Sequence, residues 1–207
     1  MAMTGNPVPL AADGAAPLVK IEREPAEICA LFPLSDEGRA LLEPRTPAGE
    51  YIDRLCGAEL YIDAVRFLAH ALPAREAVWW ACLTARDGLD PALPAQQAAV
   101  EAAEAWVYHP DEEHRRVAMT AASGPANDSP ARWAAMAAAW SGGSLAPPDA
   151  PVVPPGETLT PQAAAGAVLL AAVKSEPQRA AERYRASIVQ AVDIARGGTG
   201  RSAPRIE

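Results

Sequence analysis

Apolar residues recur at three- and four-residue spacings along most of this chain, and prolines cut the pattern into short pieces. That period marks helices with one buried face; the strict alternation that marks strands is missing. The first helix is expected to start near Pro25, with Ile28, Leu31 and Phe32 on one side. A short second helix follows Ser35, a capping residue, with Asp36 and Glu37 in its first turn, and stops at Pro44. Thr46-Pro47 reads as a cap followed by proline at the first helical position, ahead of the stripe Ile52, Leu55 and Cys56. Leu60, Tyr61, Ala64, Val65, Leu68, Ala69 and Leu72 then share one helix face.

Pro73 breaks that helix, because proline lacks an N–H and disfavours helical backbone in the residue before it. The next helix carries Val78, Ala81, Cys82 and Ala85 as one stripe, with Trp79 and Leu83 beside it. Trp79 and Trp80 are adjacent, so they point about 100° apart and cannot face the same way. Further helices are expected over Pro94 to Tyr108, after His109-Pro110 with Val117 and Ala121 inward, and after Asp128-Ser129-Pro130 with Trp133, Met136, Ala137 and Trp140. A last hairpin starts at Thr160-Pro161, turns between Lys174 and Pro177, and returns along Tyr184, Ile188, Ala191, Val192 and Ala195.

The pattern therefore predicts an all-α protein, a compact bundle or short α-solenoid of antiparallel helical hairpins. Residues 1–24 read as a disordered tail, 25–141 as the main helical domain and 142–159 as a Pro/Gly-rich linker. Residues 160–196 read as a C-terminal hairpin packing on that domain, and 197–207 as a second disordered tail.

Composition sharpens this picture. Half of the 207 residues are hydrophobic but only 5% are aromatic, so alanine supplies much of the core and the large side chains must be concentrated in a few places. Lys and Arg number 18 against 26 Asp and Glu, a net charge of −8 that disfavours nucleic acid and anionic membrane surfaces as partners. The leader Met1 to Leu10 lacks a charged start and an apolar run. The longest apolar block, Ala163 to Val173, falls short of the ~20 residues that span a bilayer. These features predict a cytoplasmic protein without membrane insertion. Cys29, Cys56 and Cys82 are odd in number and sit inside apolar patterns, as buried reduced thiols do.

Phe67 to Ala81, with Thr46-Pro47-Ala-Gly-Glu-Tyr51 and Leu34-Ser-Asp-Glu37 ahead of it, resembles an uncharacterised family of bacterial helical proteins, a domain of unknown function. The resemblance covers roughly residues 25–125 and centres on Arg75-Glu-Ala-Val-Trp-Trp80. It implies a setting among type VI secretion genes, and no activity.

Chemical motifs are sparse. No Gly-x-Ser-x-Gly elbow, no His-Glu-x-x-His and no Glu-x-x-His occurs, so no metal or other cofactor is expected. Asp111 and His114 share a helix face, as an acidic helix start does. Asp63 and His70 lie two turns apart on one face, near Arg75 and Glu76, and are expected to form a polar cluster that sets the helix angle at Pro73. Trp79 and Trp80 mark the core, and one of Trp80 or Trp140 is expected to be partly exposed at an interface. The combined expectation is a non-enzymatic adaptor or accessory protein that recognises a protein partner through a groove between helices. A small-molecule-binding or catalytic bundle using the Asp63/His70 region, and a self-assembling scaffold subunit, are the alternatives.

Overall fold

The computed structural model describes residues 16–147, 149–174 and 176–201. Among them the chain forms ten α-helices, one 3₁₀ turn and no strand. In order these are α1 (Pro25–Cys29), α2 (Asp36–Ala40), α3 (Ala48–Gly57), α4 (Tyr61–Ala71), α5 (Ala74–Arg86), α6 (Pro94–Tyr108) and α7 (Glu112–Ala121). Then follow α8 (Pro130–Ala139), α9 (Leu159–Val173), the 3₁₀ turn (Pro177–Arg179) and α10 (Ala180–Ala195).

The centre of the fold is α9, which packs against α8, α5, α4 and α10. Its sequence, Leu-Thr-Pro-Gln-Ala-Ala-Ala-Gly-Ala-Val-Leu-Leu-Ala-Ala-Val, is apolar on nearly every side, as a helix surrounded by others must be. Small side chains let the neighbours close in: Ala163, Ala164, Ala167 and Val168 have no exposed surface. At Gly166 the Trp133 indole lies against the helix backbone. The hairpin expected at the end of the chain thus supplies the pillar around which α4, α5 and α8 pack.

Local rules explain most of the breaks. Leu72, ahead of Pro73, adopts extended backbone (ψ 144°), so α4 ends and α5 starts within three residues. Ser35 caps α2, its hydroxyl accepting the Gly38 N–H at 2.9 Å. At α3 the outcome differs from expectation. Pro47 itself occupies the cap position, and the Thr46 hydroxyl donates backward to the Glu43 carbonyl at 2.9 Å.

The α7 face also differs. Val117 is half exposed, and Arg115 and Ala118 turn inward instead. The Arg115 guanidinium is buried because it has acceptors there: the carbonyls of Ala139 (2.6 Å) and Ser144 (3.0 Å), and both Glu112 oxygens. Those bonds tie the chain after α8 to α7. The stretch expected as an extended linker then closes on itself. Leu145 N–H donates to the Val153 carbonyl (2.8 Å), and the Ser144 hydroxyl accepts the N–H groups of Ala146 and Val153.

Both expected tails have an ordered part. Leu18 and Ile21 pack on the core, and the Lys20 N–H donates to the Ala195 carbonyl at 2.9 Å. Residues 197–201 fold back over α5 through Trp79 and Thr199. Their apolar and hydrogen-bonding groups find partners on α5 and α10 that the local pattern does not reveal. Residues 1–15 and 202–207, the rest of the expected tails, lie outside the described residues.

Candidate functional site

An open cleft of about 680 Å³ lies where four separate segments and Leu31 meet. The α4–α5 corner at Pro73 forms its floor, together with His70 from the last turn of α4. Trp140 to Gly143 close one side, Pro154 to Pro161 another, and the segment around Lys20 and Arg23 a third. Two ion pairs stitch the mouth: Lys20 to Glu76 at 2.8 Å and Arg23 to Glu157 at 2.9 Å. Arg23–Glu157 is solvent-exposed and Lys20–Glu76 part-buried, so the pairs position the segments more than they stabilise them. The starts of α5 and α9 line the same cleft, and neither is capped by a side chain. Their partial positive charge adds to that of Lys20 and Arg23 and is offset by Glu22 and Glu157.

His70 is the unusual group in this cleft. It is 8% exposed, its ring packs on Phe32 at 5.0 Å, and its Nδ1 lies 2.8 Å from the Arg66 carbonyl. A carbonyl only accepts, so Nδ1 carries the proton. That leaves Nε2 as a buried acceptor with no hydrogen-bond partner among the described residues. Burial depresses the imidazole's proton affinity, the Arg66 carbonyl raises it less, and the Arg66 charge lowers it further.

The structure does not bring Asp63 and His70 together. Asp63 is buried on α4, but its carboxylate accepts the Ser35 hydroxyl and, at 3.5 Å, the Ser35 N–H. Beside it the Tyr51 hydroxyl donates to the Gly38 carbonyl (2.9 Å), with Cys29 Sγ 3.7 Å away. This polar knot locks α2 onto α3 and α4. The expected cluster at Pro73 is therefore replaced by two local arrangements, because each side chain finds a nearer partner. Asp63 was visible in the sequence, but its long-range partner Ser35 gave only its capping signal.

The other expected site residues separate likewise. Arg75 Nε donates to the Val107 carbonyl (2.6 Å), and Glu76 holds Lys20. Trp80 has no exposed surface and is a core residue. Trp79 is the outward-facing member of the pair. Its Nε1–H donates to the Thr199 carbonyl at 2.8 Å, and Tyr108 stands edge-on to its ring. Trp140 is half buried, lines the cleft and packs edge-on against Trp133 with ring centres 6.5 Å apart.

Nucleophilic chemistry has little support in these surroundings. The three thiols are buried and unpaired by disulfides. Burial pushes Cys56 up to about 12 and raises Cys29 and Cys82 as well. Among the described residues no three His, Cys, Asp or Glu side chains group as metal ligands would, and no helix is long and apolar enough to cross a membrane.

Fold and cleft together define an all-helical protein with an open, mixed-charge cleft at a helix corner. The chain belongs to a family of unknown function (DUF6931), whose match spans residues 51–195. That span takes in the Arg75–Trp80 core and runs further toward the C-terminus than the sequence resemblance does. Neither the curated proteins nor the solved structures contain a match to it.

Proposed function

We propose that this protein is a non-enzymatic adaptor or accessory protein that seats a segment of a protein partner in the cleft beside His70. The observation that carries this reading is the cleft itself. It is open, about 680 Å³, framed by prolines and Trp140, and has His70 in its lining. A peptide offers an apolar body for such walls and backbone polar groups for the charged rim. The cleft's mixed charges suit a polypeptide better than a strongly anionic or cationic ligand. The setting that fits this role is cytoplasmic secretion-associated machinery, in keeping with the resemblance to a family found near type VI secretion genes.

A catalytic or small-molecule role draws support only from His70, since Asp63 is committed to Ser35. Co-purification with the products of adjacent genes tests the adaptor reading. One of them should bind the intact protein, and Trp140→Ala should weaken that binding at least about tenfold without unfolding the chain. If no adjacent product binds the folded protein, the adaptor reading fails. Equal binding by wild type and Trp140→Ala would remove the cleft from it.

A further inference from the structure

Within Arg75-Glu-Ala-Val-Trp-Trp80, the residues Ala77, Val78 and Trp80 turn into the core, while Arg75, Glu76 and Trp79 line one side of a second groove of about 330 Å³. Val107 and Tyr108 at the end of α6 form another side, and Lys20 stands at the edge. The last side is the end of α10 with the return that follows it, residues 197–201. That return is a fixed wall. The Trp79 indole donates to the Thr199 carbonyl at 2.8 Å, and the Asp193 carboxylate accepts the Gly200 N–H at 2.8 Å. Gly200, at φ +69°, packs so closely that a Cβ there would lie 2.8 Å from Ile194.

The charges around this groove do not cancel. Lys20 is paired with Glu76 at 2.8 Å. Arg75 is anchored by a neutral group, its Nε donating to the Val107 carbonyl at 2.6 Å, and its terminal nitrogens have no partner among the described residues. The Arg201 guanidinium stands 5.0 Å above the Trp79 ring and likewise meets no carboxylate among the described residues. Arg54, Arg86, Arg115 and Arg179, by contrast, each face a glutamate. In a chain with 26 acidic against 18 basic residues, two oriented and uncompensated guanidiniums on one groove are a local excess of positive charge.

We infer that this groove docks an acidic segment of a partner protein, with a carboxylate on Arg75 and Arg201 and a neighbouring apolar side chain against Val107 and Tyr108. The guanidinium fork matches a carboxylate, and both forks are held in place before the ligand arrives. Arg, Trp and Tyr are the residue types that carry most binding energy at protein interfaces, and here they stand together, Tyr108 more than half exposed. The net charge of −8 repels a uniformly acidic protein, so the acidity belongs to the docked segment alone. The groove shares Lys20 alone with the His70 cleft, and the inference stands without that cleft.

Full-length protein labelled with 5-fluorotryptophan tests this by ¹⁹F NMR, the Trp79 resonance being assigned with Trp79→Phe. The probe is acetyl-Asp-Glu-Leu-Glu-amide, with acetyl-Asn-Gln-Leu-Gln-amide as its neutral counterpart. The acidic peptide should shift the Trp79 resonance saturably, and the neutral one should bind at least about fivefold more weakly. Arg75→Gln and Arg201→Gln each remove an exposed guanidinium, and each should weaken the acidic peptide by a similar factor. Arg185→Gln removes the same charge from an arginine that stands over Tyr61 instead, and should bind as wild type does. Unmoved resonances of the other four tryptophans report that each variant is folded; should one arginine variant unfold, the other and the neutral peptide decide. Equal binding of the two peptides, or an equal loss in Arg185→Gln, overturns the inference. So does acetate shifting Trp79 at the same concentration as the peptide, which reduces the groove to a bare anion site.

Discussion

The Trp80 indole reaches across the core to donate its Nε1–H to the Ser187 carbonyl at 2.8 Å, joining α5 to α10 over 107 residues of chain. Its neighbour Trp79 bonds a carbonyl too, but at the protein surface. Adjacent tryptophans therefore carry different weights. Trp80→Ala should cost about 3–5 kcal/mol, since it opens a cavity and removes a buried hydrogen bond. Trp79→Ala should cost about 1 kcal/mol. Urea midpoints compared at constant m separate the two; equal losses would contradict the assignment of Trp80 to the core.

Two glycines should respond oppositely to alanine. At Gly38 a Cβ would sit 2.6 Å from the Asp63 carboxylate and 3.0 Å from Leu34, forcing the Ser35–Asp63 bond apart. That substitution should destabilise by about 1–3 kcal/mol. At Gly166, in the middle of α9, the nearest atoms are Trp133 ring carbons at 3.4 Å, a distance a methyl group tolerates. There alanine should stabilise by up to about 1 kcal/mol through helix propensity. Thermal midpoints of the two variants should lie on opposite sides of the wild type.

Burial lowers the proton affinity of His70 in the folded state, so the unfolded chain binds the extra proton more readily. Stability from this group is intact above its ordinary value of 6.5 and is lost as pH falls below it. His70→Phe should flatten the stability profile between pH 7.5 and 5.5. An unchanged slope in chemical denaturation across that range would refute the role given to His70.

Arg115 should be needed for the order of the stretch after α8. Arg115→Met leaves the Ala139 and Ser144 carbonyls without their donor, at a cost of about 2–3 kcal/mol. Hydrogen exchange should rise across residues 141–153 more than in α4 or α5. Glu112 shares the contact: hydrogen bonds from Arg115 hold its carboxyl at about 2. Its share of the stability therefore persists to low pH and fades as pH drops from 4.5 toward 2.

The thiols should resist labelling. Native protein at pH 8 should give almost no reaction with Ellman's reagent over the time in which unfolded protein gives three equivalents. Fast native labelling of any one cysteine would place it outside the packed core.

The sequence pattern was most readable where the rule is local. The Pro73 break, the Ser35 cap and the divergence of Trp79 from Trp80 all follow from backbone geometry between near neighbours. It was least readable where a distant partner decides. Periodicity turned Val117 inward, because it cannot know that Arg115 meets two carbonyls from beyond α8. Asp63 and His70 looked paired on one face until Ser35 and the Arg66 carbonyl are seen beside them. The cleft draws on five stretches spread between residues 20 and 161, so no single stretch announces it.

The placement of α9 bears on how the chain is made. The rod that α4, α5 and α8 lean on is synthesised after them, so a nascent polypeptide halted before residue 159 leaves their alanine-lined surfaces with nothing to close on. Completion of the core waits until α9 has been translated, and the growing chain must be shielded from aggregation until then. Shortened products should be degraded rather than accumulate as a smaller working domain.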